Sequence, residues 1–508
     1  MATKIRFGDI AMMGEQTGIQ PKIFYPHMNL EQRVPRTHLL RRIQEEIDFN
    51  FIYAEVRDTY GSKGNVSIPP PVILKMMLLL VLYNVRSERE LMETIPMRLD
   101  WLWFLGYDID SEVPDHSVLS KARARWGVEA FQRFFERIVW QCVEAGLVDG
   151  SKIFMDSSLV DANASNNSVI DTRSLRVQLQ ESYKKLEARL EEKSERTGSP
   201  RRYVKENSRY ISATDPDAGI VNRGKPRLSY QVHRAVDGRS EVITATEVTP
   251  GDINEAHEMI PLLEGHHLNT GVKAETVVAD SKYGTVENFL ACHDRGIEAH
   301  MPDLQESTAK RIKKLNIFSE ERFEYDGETD TYLCQAGNRL KPRSLHKSRQ
   351  SRDYAASQKV CAACPLRKQC TRNKSGRTIK RHLRQEALDG MREASRSAKA
   401  KRDIKMRQHL MERSYARGTW YGFDRARWRG LWRVKIQEYL VSAVQNIQVL
   451  LRYGSYLKRS PSAMVEQING AIRRDIRSFL DYMELMNSRK GRRVLFGLTY
   501  PRLSVIEG

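Results

Sequence analysis

The order of strand-like and helix-like segments between residues 151 and 301 is the feature that most limits what this chain can fold into. Asp237-Gly238 predicts a hairpin between the second and third strand-like runs. Three antiparallel strands followed by αβαβ predict an α/β core, with a mixed five-stranded sheet flanked by helices. The predicted strands are residues 153–160, 227–236, 241–248, 274–279 and 296–301, and the predicted helices are residues 253–263 and 286–295.

The segments around this core have a different pattern. Residues 1–148 are predicted to be an all-α N-terminal domain that binds DNA, although a plain helical bundle fits the all-helical part, residues 70–148, equally well. Leucines spaced by threes and fours predict a charged amphipathic helix within a helical insertion at residues 170–200. Residues 396–453 are predicted to hold further core helices, and residues 454–508 a helical tail.

Three acidic residues lie where carboxylates on strand ends and on a helix would meet. Asp156 lies where an apolar strand leaves the core, and Asp280 ends the apolar run Thr276-Val-Val-Ala-Asp280. Glu412 lies in an Arg-rich helical stretch. Asp161 competes with Asp156, but residues five apart on a strand point to opposite faces. Carboxylates so placed can hold two hard divalent cations, and a two-metal site stabilises both oxygens of a phosphodiester displacement.

Positive charge is concentrated in one part of the chain. The protein has 83 Lys+Arg against 64 Asp+Glu, a formal net charge of +19. Residues 341–440 hold 28 Lys+Arg and 8 Asp+Glu, so the rest of the chain is nearly neutral. A solvated helical surface would explain a single short basic run. An imbalance over a hundred residues indicates binding to the phosphates of a nucleic acid.

Four of the six cysteines lie in a basic segment, residues 303–395, which interrupts the core. They are Cys334, Cys361, Cys364 and Cys370, and the CxxC spacing of the middle pair suits a closed tetrahedral structural zinc site. The alternative is a set of reduced or redox-active thiols. Six cysteines in 508 residues do not form a disulfide framework, which predicts a cytoplasmic protein. The longest apolar run, residues 72–83, is too short to span a membrane.

Several motifs together resemble the bacterial insertion-sequence transposases of the DDE class. Pro114-Asp-His-Ser-Val-Leu-Ser-Lys-Ala-Arg123 resembles their helical N-terminal domain. Met155-Asp-Ser-Ser-Leu-Val-Asp-Ala-Asn-Ala-Ser165 and Val278-Ala-Asp-Ser-Lys-Tyr-Gly284 resemble their first and second catalytic strands. Glu412-Arg-Ser-Tyr415, Arg425-Ala-Arg-Trp-Arg-Gly430 and Val444-Gln-Asn-Ile447 resemble the end that carries the catalytic helix. The cysteine-rich segment is similar to a zinc-ribbon-like insertion in one branch of the group.

The resemblance implies a ribonuclease H-like core and a DNA transposase activity. Asp156, Asp280 and Glu412 would bind two Mg²⁺ or Mn²⁺ ions for cleavage at transposon ends and for strand transfer to target DNA. It further implies double-stranded DNA as partner, a homodimer that pairs two ends, and a nucleoid-associated location. The implied DNA contacts are Lys282, Tyr283, Arg413, Arg417, Arg425, Arg427, Arg429 and Arg433. The alternatives are a non-catalytic DNA-binding regulator derived from a transposase, and a nuclease that does not join strands.

Overall fold

The computed structural model describes residues 13–14, 29–61, 65–171, 210–223, 225–303 and 317–454. The mixed α/β architecture with a helical N-terminal region is confirmed. Most of the predicted helical insertion, from residue 172 onward, lies outside these residues, and so does nearly all of the predicted tail. Within the described ranges, no helix is both long enough and apolar enough to cross a membrane.

The N-terminal region packs helices around one fully buried helix. The helices are α1 (Leu30–Arg33), α2 (Leu39–Glu46), α3 (Ile52–Val56), α4 (Pro70–Leu82), α5 (Glu88–Thr94), α6 (Leu99–Leu105), α7 (Ser117–Trp126) and α8 (Glu129–Glu144). Helix α4 begins with prolines, whose fixed φ suits the first turn, and is buried from Pro70 to Val81. It carries one charge inward, Lys75, whose Nζ donates to Phe104 O at 3.0 Å. Burial lowers the pKa of Lys75 to about 8.

The central sheet has six strands. The strands are β1 (Lys152–Asp161), β4 (Gly219–Arg223), β5 (Lys225–Asp237), β6 (Ile243–Pro250), β7 (Thr276–Val278) and β8 (Glu298–His300), while β2 (Val169–Asp171) and β3 (Tyr210–Ser212) form a separate pair. Five strands of the central sheet lie side by side in the order β4-β5-β1-β7-β8, and β6 also pairs with β5. Strand β1 is antiparallel to β5 and parallel to β7, which is parallel to β8. Both β4 and β6 pair with β5, along different parts of its length. Strand β4 is an addition to the predicted set.

Helices cover both faces of this sheet. Helices α9 (Met259–Thr270) and α10 (Val286–Asp294) follow β6 and β7 and pack on the face that carries Ile153 and Met155. The chain returns later with three more helices: α13 (Gln385–Ser395), α14 (Ala398–Thr419) and α15 (Leu431–Val449). Helix α15 is nearly all buried and contacts α4, α8 and β6. It therefore joins the N-terminal helices and the sheet in one core.

A second, smaller sheet lies between β8 and α13. Its five strands are β9 (Glu324–Asp326), β10 (Thr331–Leu333), β11 (Arg339–His346), β12 (Ser351–Ala355) and β13 (Thr378–His382), all antiparallel and in chain order. Two short helices, α11 (Gln358–Ala362) and α12 (Arg367–Cys370), separate β12 from β13. The core of this unit is small, with six buried hydrophobic residues packed against three of the cysteines.

Candidate active site

Asp156 and Asp280 occupy equivalent places on two neighbouring parallel strands. The last residue pair between β1 and β7 is Phe154 with Val278. Asp156 and Asp280 each lie two residues beyond this pair, Asp156 still within β1 and Asp280 just past the end of β7. Because side chains alternate along an extended chain, this spacing places both carboxylates on the same face, beyond the end of the ladder. The pairing of β1 with β7 thus brings together residues that are far apart in sequence.

A third carboxylate, Glu255, joins them from the turn before α9. Among the described residues, the only group of three or more metal-ligating side chains is Asp156, Glu255 and Asp280. One carboxylate oxygen from each lies within 4.8 Å of the other two. Glu255 begins a short 3-10 turn, Glu255–Glu258, which Asn254 caps through Ala256 N at 3.1 Å. We call these three residues the carboxylate cluster.

Glu255 was missing from the sequence prediction, although a signal for it exists. Strand β6 is antiparallel to β5, which is antiparallel to β1, so β6 runs in the same direction as β1 and β7. The carboxyl ends of all three strands therefore meet at one edge of the sheet. Glu255 follows the end of β6 by five residues. The signal in the sequence is therefore an acidic residue close to this edge in each of the three segments.

Two protein cations and one hydroxyl contact the carboxylate cluster. Arg407 NH1 on α14 lies 2.6 Å from Asp156 Oδ2, and Lys282 Nζ pairs with Glu255. The Ser157 hydroxyl also donates to Glu255. Burial raises the pKa of Asp156, and the negative charges of Asp280 and Glu255 raise it further, while Arg407 and the Ser157 N–H oppose this rise. Three carboxylates are thus held close together in a partly buried place, and this crowding raises the pKa of Asp156.

Helix α14 lies over this edge of the sheet and is tied to it directly. The Tyr415 hydroxyl donates to Asp156 O at 2.8 Å and lies 3.2 Å from Val232 O. Glu412 lies on the same helix, but its side chain is exposed and accepts a hydrogen bond from Gln408 Nε2 at 3.1 Å. Glu412 directly follows the buried Met411, so it is about 100° around the helix from the packed face. The structure thus brings Asp156 and Asp280 together and leaves Glu412 outside the carboxylate cluster.

Tyr283 is in the core rather than on the surface. Its side chain is fully buried, because the turn after Asp280 folds back toward the sheet. Gly284 permits this turn, since a Cβ there would lie 2.0 Å from Pro302 O. The Tyr283 hydroxyl has no hydrogen-bond partner within the described ranges. Burial raises its pKa well above the usual value, and Glu255, Asp156 and Asp280 raise it further.

Most of the cations predicted to contact DNA have partners within the chain, and some of them have exposed side chains. Several already have partners in the chain: Lys282 pairs with Glu255, Arg413 and Arg417 pair with Glu241, and Arg427 donates to Val85 O and Asn84. Arg433 donates to Arg429 O at 3.0 Å and lies over the Trp432 ring. Arg413, Arg425 and Arg429 have exposed side chains.

The four cysteines of the small sheet line one cavity of about 30 Å³. Asn338 N donates to Cys334 Sγ at 3.3 Å, in a turn whose Gly337 has a φ of 74°. Gly376 lies so close to Cys361 that a Cβ there would be 2.8 Å from Cys361 Sγ. Burial raises the pKa of Cys370, and the other three thiols raise it further, while Arg377 lowers it. The four cysteine sulfurs are less closely grouped than the oxygens of the carboxylate cluster. No three of the sulfurs lie within 4.8 Å of one another.

Two segments of the chain match known family models. Residues 28–125 match a family model described as a transposase domain (DUF772), and residues 333–451 match a family model described as a transposase DDE domain. Both matched segments are thus similar to domains of transposases. More particularly, they support an insertion-sequence transposase of the DDE class, which confirms the family predicted from the motifs. No curated protein matches the chain. Glu412 lies within the second matched segment, whereas the carboxylate cluster lies between the two.

Proposed function

We propose that the protein is a DNA transposase that cleaves phosphodiesters at transposon ends and transfers the freed strand to target DNA, using divalent metal ions. The observation that carries this proposal is the convergence of Asp156 and Asp280 with a third carboxylate at one sheet edge. Carboxylate oxygens are the ligands that Mg²⁺ and Mn²⁺ prefer. A pair of such ions supplies charge stabilisation for the attacking and leaving oxygens of a phosphodiester displacement.

The residues around the carboxylate cluster position it for this chemistry. Asp156 Oδ1 accepts from Ser157 N at 2.8 Å, and Arg407 holds its other oxygen. Asp280 Oδ1 accepts from Lys282 N at 2.9 Å. Fixed carboxylates need little rearrangement when charge develops in the reaction. Glu412 stays in the proposal as the carboxylate of the family motif, because it lies on the helix that carries Arg407 and Tyr415.

We infer that the catalytic unit is ribonuclease H-like. Three antiparallel strands, β1, β5 and β6, are followed by the parallel strands β7 and β8, with helices in between. The divisions proposed from the sequence remain as stated: a helical N-terminal domain at residues 1–148, the catalytic core at 149–302, and the cysteine-rich insertion at 303–395. Residues 396–453 would then return to the core, and the tail would follow.

We propose that the four cysteines bind a structural zinc ion. The donor set fits, because thiolates suit zinc and Asn338 N already donates to one of the sulfurs, as outer ligand contacts do. A zinc ion held by these four thiolates would stabilise a small unit that has few buried hydrophobic residues of its own. Elemental analysis tests this proposal: one zinc per chain is expected, and Cys361→Ser should lose it while Cys292→Ser, a buried cysteine elsewhere, keeps it.

Double-stranded DNA is the proposed partner, and pairing of two transposon ends makes a homodimer the expected assembly. The exposed Arg413, Arg425 and Arg429 are the proposed phosphate contacts with the most accessible side chains. Affinity should fall steeply with salt, because phosphate contacts release counter-ions. A location with the bacterial nucleoid would follow from DNA binding.

The deciding experiment is cleavage and joining of a labelled duplex that carries the terminal repeat of its own element, with Mg²⁺ or Mn²⁺. Wild type would be compared with Asp156→Asn, Asp280→Asn and Glu412→Gln. Asp161→Asn is the matched control, because this exposed carboxylate lies on the same strand, outside the carboxylate cluster. Nicking and joining by wild type and the control alone supports a transposase. Nicking without joining indicates a nuclease, and DNA binding without nicking indicates a regulator.

A further inference from the structure

Glu255 is a buried carboxylate in surroundings that are unfavourable for it without a bound cation. Its side chain is only 7% exposed, and an oxygen of it lies within 4.8 Å of oxygens of both Asp156 and Asp280. Like charges this close repel each other, and more strongly where water is scarce. A fold that keeps three carboxylates together therefore gains from any cation that contacts all three.

The two protein cations at the carboxylate cluster differ in how easily they can leave. Arg407 is 12% exposed and held against Asp156. Lys282 is 47% exposed, and its ammonium group reaches Glu255 from the solvent side on a flexible stem. Its long stem lets the Lys282 ammonium group move from Glu255 into water when another cation takes its place. Glu255 can therefore exchange this cation for another.

Tyr283 gives a second and independent indication of a ligand at the same place. Its fully buried hydroxyl has no hydrogen-bond partner in the part of the chain that the structure describes. Tyr283 lies three residues after Asp280, and the charges of Glu255, Asp156 and Asp280 add to burial in raising the pKa of its hydroxyl. A buried donor without a partner is costly. A polar ligand among the three carboxylates would offer the missing acceptor.

We propose that Glu255 is a further protein ligand of a divalent cation held by Asp156 and Asp280, and that Lys282 is the counter-ion this cation displaces. Tyr283 then donates its hydroxyl hydrogen to a water or phosphate oxygen at the same centre. The inference rests on the proposed function and deepens it, because it adds a ligand from outside the three-carboxylate motif. The ligand class is a hard divalent cation with a preference for oxygen.

The test is Mn²⁺ binding by the full chain without DNA, measured from the paramagnetic resonance of free Mn²⁺, together with thermal unfolding in EDTA and in Mn²⁺. The variants are Glu255→Gln and Asp280→Asn. Glu264→Gln is the matched control, because this exposed glutamate lies on the next helix, outside the carboxylate cluster. Glu255→Gln should weaken Mn²⁺ binding by at least about tenfold and lose the Mn²⁺-induced rise in melting temperature. The control should bind as wild type does.

The outcomes separate this inference from the proposed function. Wild-type affinity in Glu255→Gln, with weakened binding in Asp280→Asn, overturns the role of Glu255 and leaves the proposed function standing. Wild-type affinity in both variants removes the metal centre and the proposed function together. If Glu255→Gln does not fold, Lys282→Met decides. This variant should bind Mn²⁺ more tightly than wild type because a competing cation is gone, and unchanged affinity would overturn the proposal.

Discussion

Two buried glutamates lie beside the central sheet and each pairs with a cation, but the surroundings of the two pairs differ. In the interior, Glu438 on α15 is 3% exposed and binds the fully buried Arg234 through both oxygens, at 2.7 and 3.1 Å. Ser442 and Thr246 hydroxyls donate to the same carboxylate. At the edge, Glu255 binds the half-exposed Lys282 beside two other carboxylates. The interior pair holds the sheet to a helix, whereas the edge pair is exchangeable.

The interior pair should be the most costly to break. Arg234→Met leaves Glu438 buried with its charge uncompensated, so the free energy of unfolding should fall by about 3–5 kcal/mol. Urea unfolding measures this change. Arg239→Met, an exposed arginine just beyond the same strand, should change it by less than about 0.5 kcal/mol. A loss below about 1 kcal/mol for Arg234→Met would remove the distinction between the two pairs.

Two buried tyrosines offer a second version of the same comparison. The Tyr230 hydroxyl donates to Asp215 Oδ1 at 2.7 Å, beneath the start of α15. Tyr230→Phe should therefore cost about 1.5–3 kcal/mol, as expected for a hydrogen bond to a charged group. Tyr283→Phe should be neutral or slightly stabilising without metal, because the lost hydroxyl has no partner in the described structure. Equal losses in urea unfolding for both variants would contradict this contrast.

The pH dependence of stability should reveal the crowded charge at the edge. Burial and the neighbouring carboxylates raise the pKa of Asp156 above 3.8. An acid whose folded pKa exceeds its unfolded value binds more protons when folded, so stability falls as pH rises through that window. Asp156→Asn should therefore gain stability relative to wild type as the pH rises above 3.8. Thermal unfolding of Asp156→Asn and wild type from pH 4 to 7 in EDTA tests this trend, and a difference that is independent of pH would refute it.

Removing the edge cation should cost less than removing the interior one. Lys282→Met should lower the free energy of unfolding by less than Arg234→Met does without metal, because Lys282 is about half exposed whereas Arg234 is fully buried. It matches Arg234→Met in chemistry, since both variants remove the cation of a buried glutamate. A cost as large as that of Arg234→Met, in the same urea titration, would make the edge pair structural.

The sequence predicted those parts of the site that depend on local pattern. Asp156 and Asp280 are predicted because an acidic residue follows a short apolar run in each case, and the structure brings the two together, although strand β1 continues past Asp156 to Asp161. Strand β4 was not predicted, because its five residues, Gly219–Arg223, include glycine and asparagine and lack an alternating pattern. The family was predicted and is confirmed, since its motifs are short segments that need no folding to be read.

What the sequence by itself determined is the order of the core strands and helices apart from β4, the basic segment, and the positions of Asp156 and Asp280 directly after short apolar runs. These features follow from periodicity and composition within a few residues. Only the tertiary structure decided that Glu255 joins the carboxylate cluster, that Lys282 pairs with Glu255, and that Tyr283 is buried. These contacts depend on which strands are neighbours and on their direction. Such pairings are set by the packing of the whole sheet, which no local stretch of residues encodes.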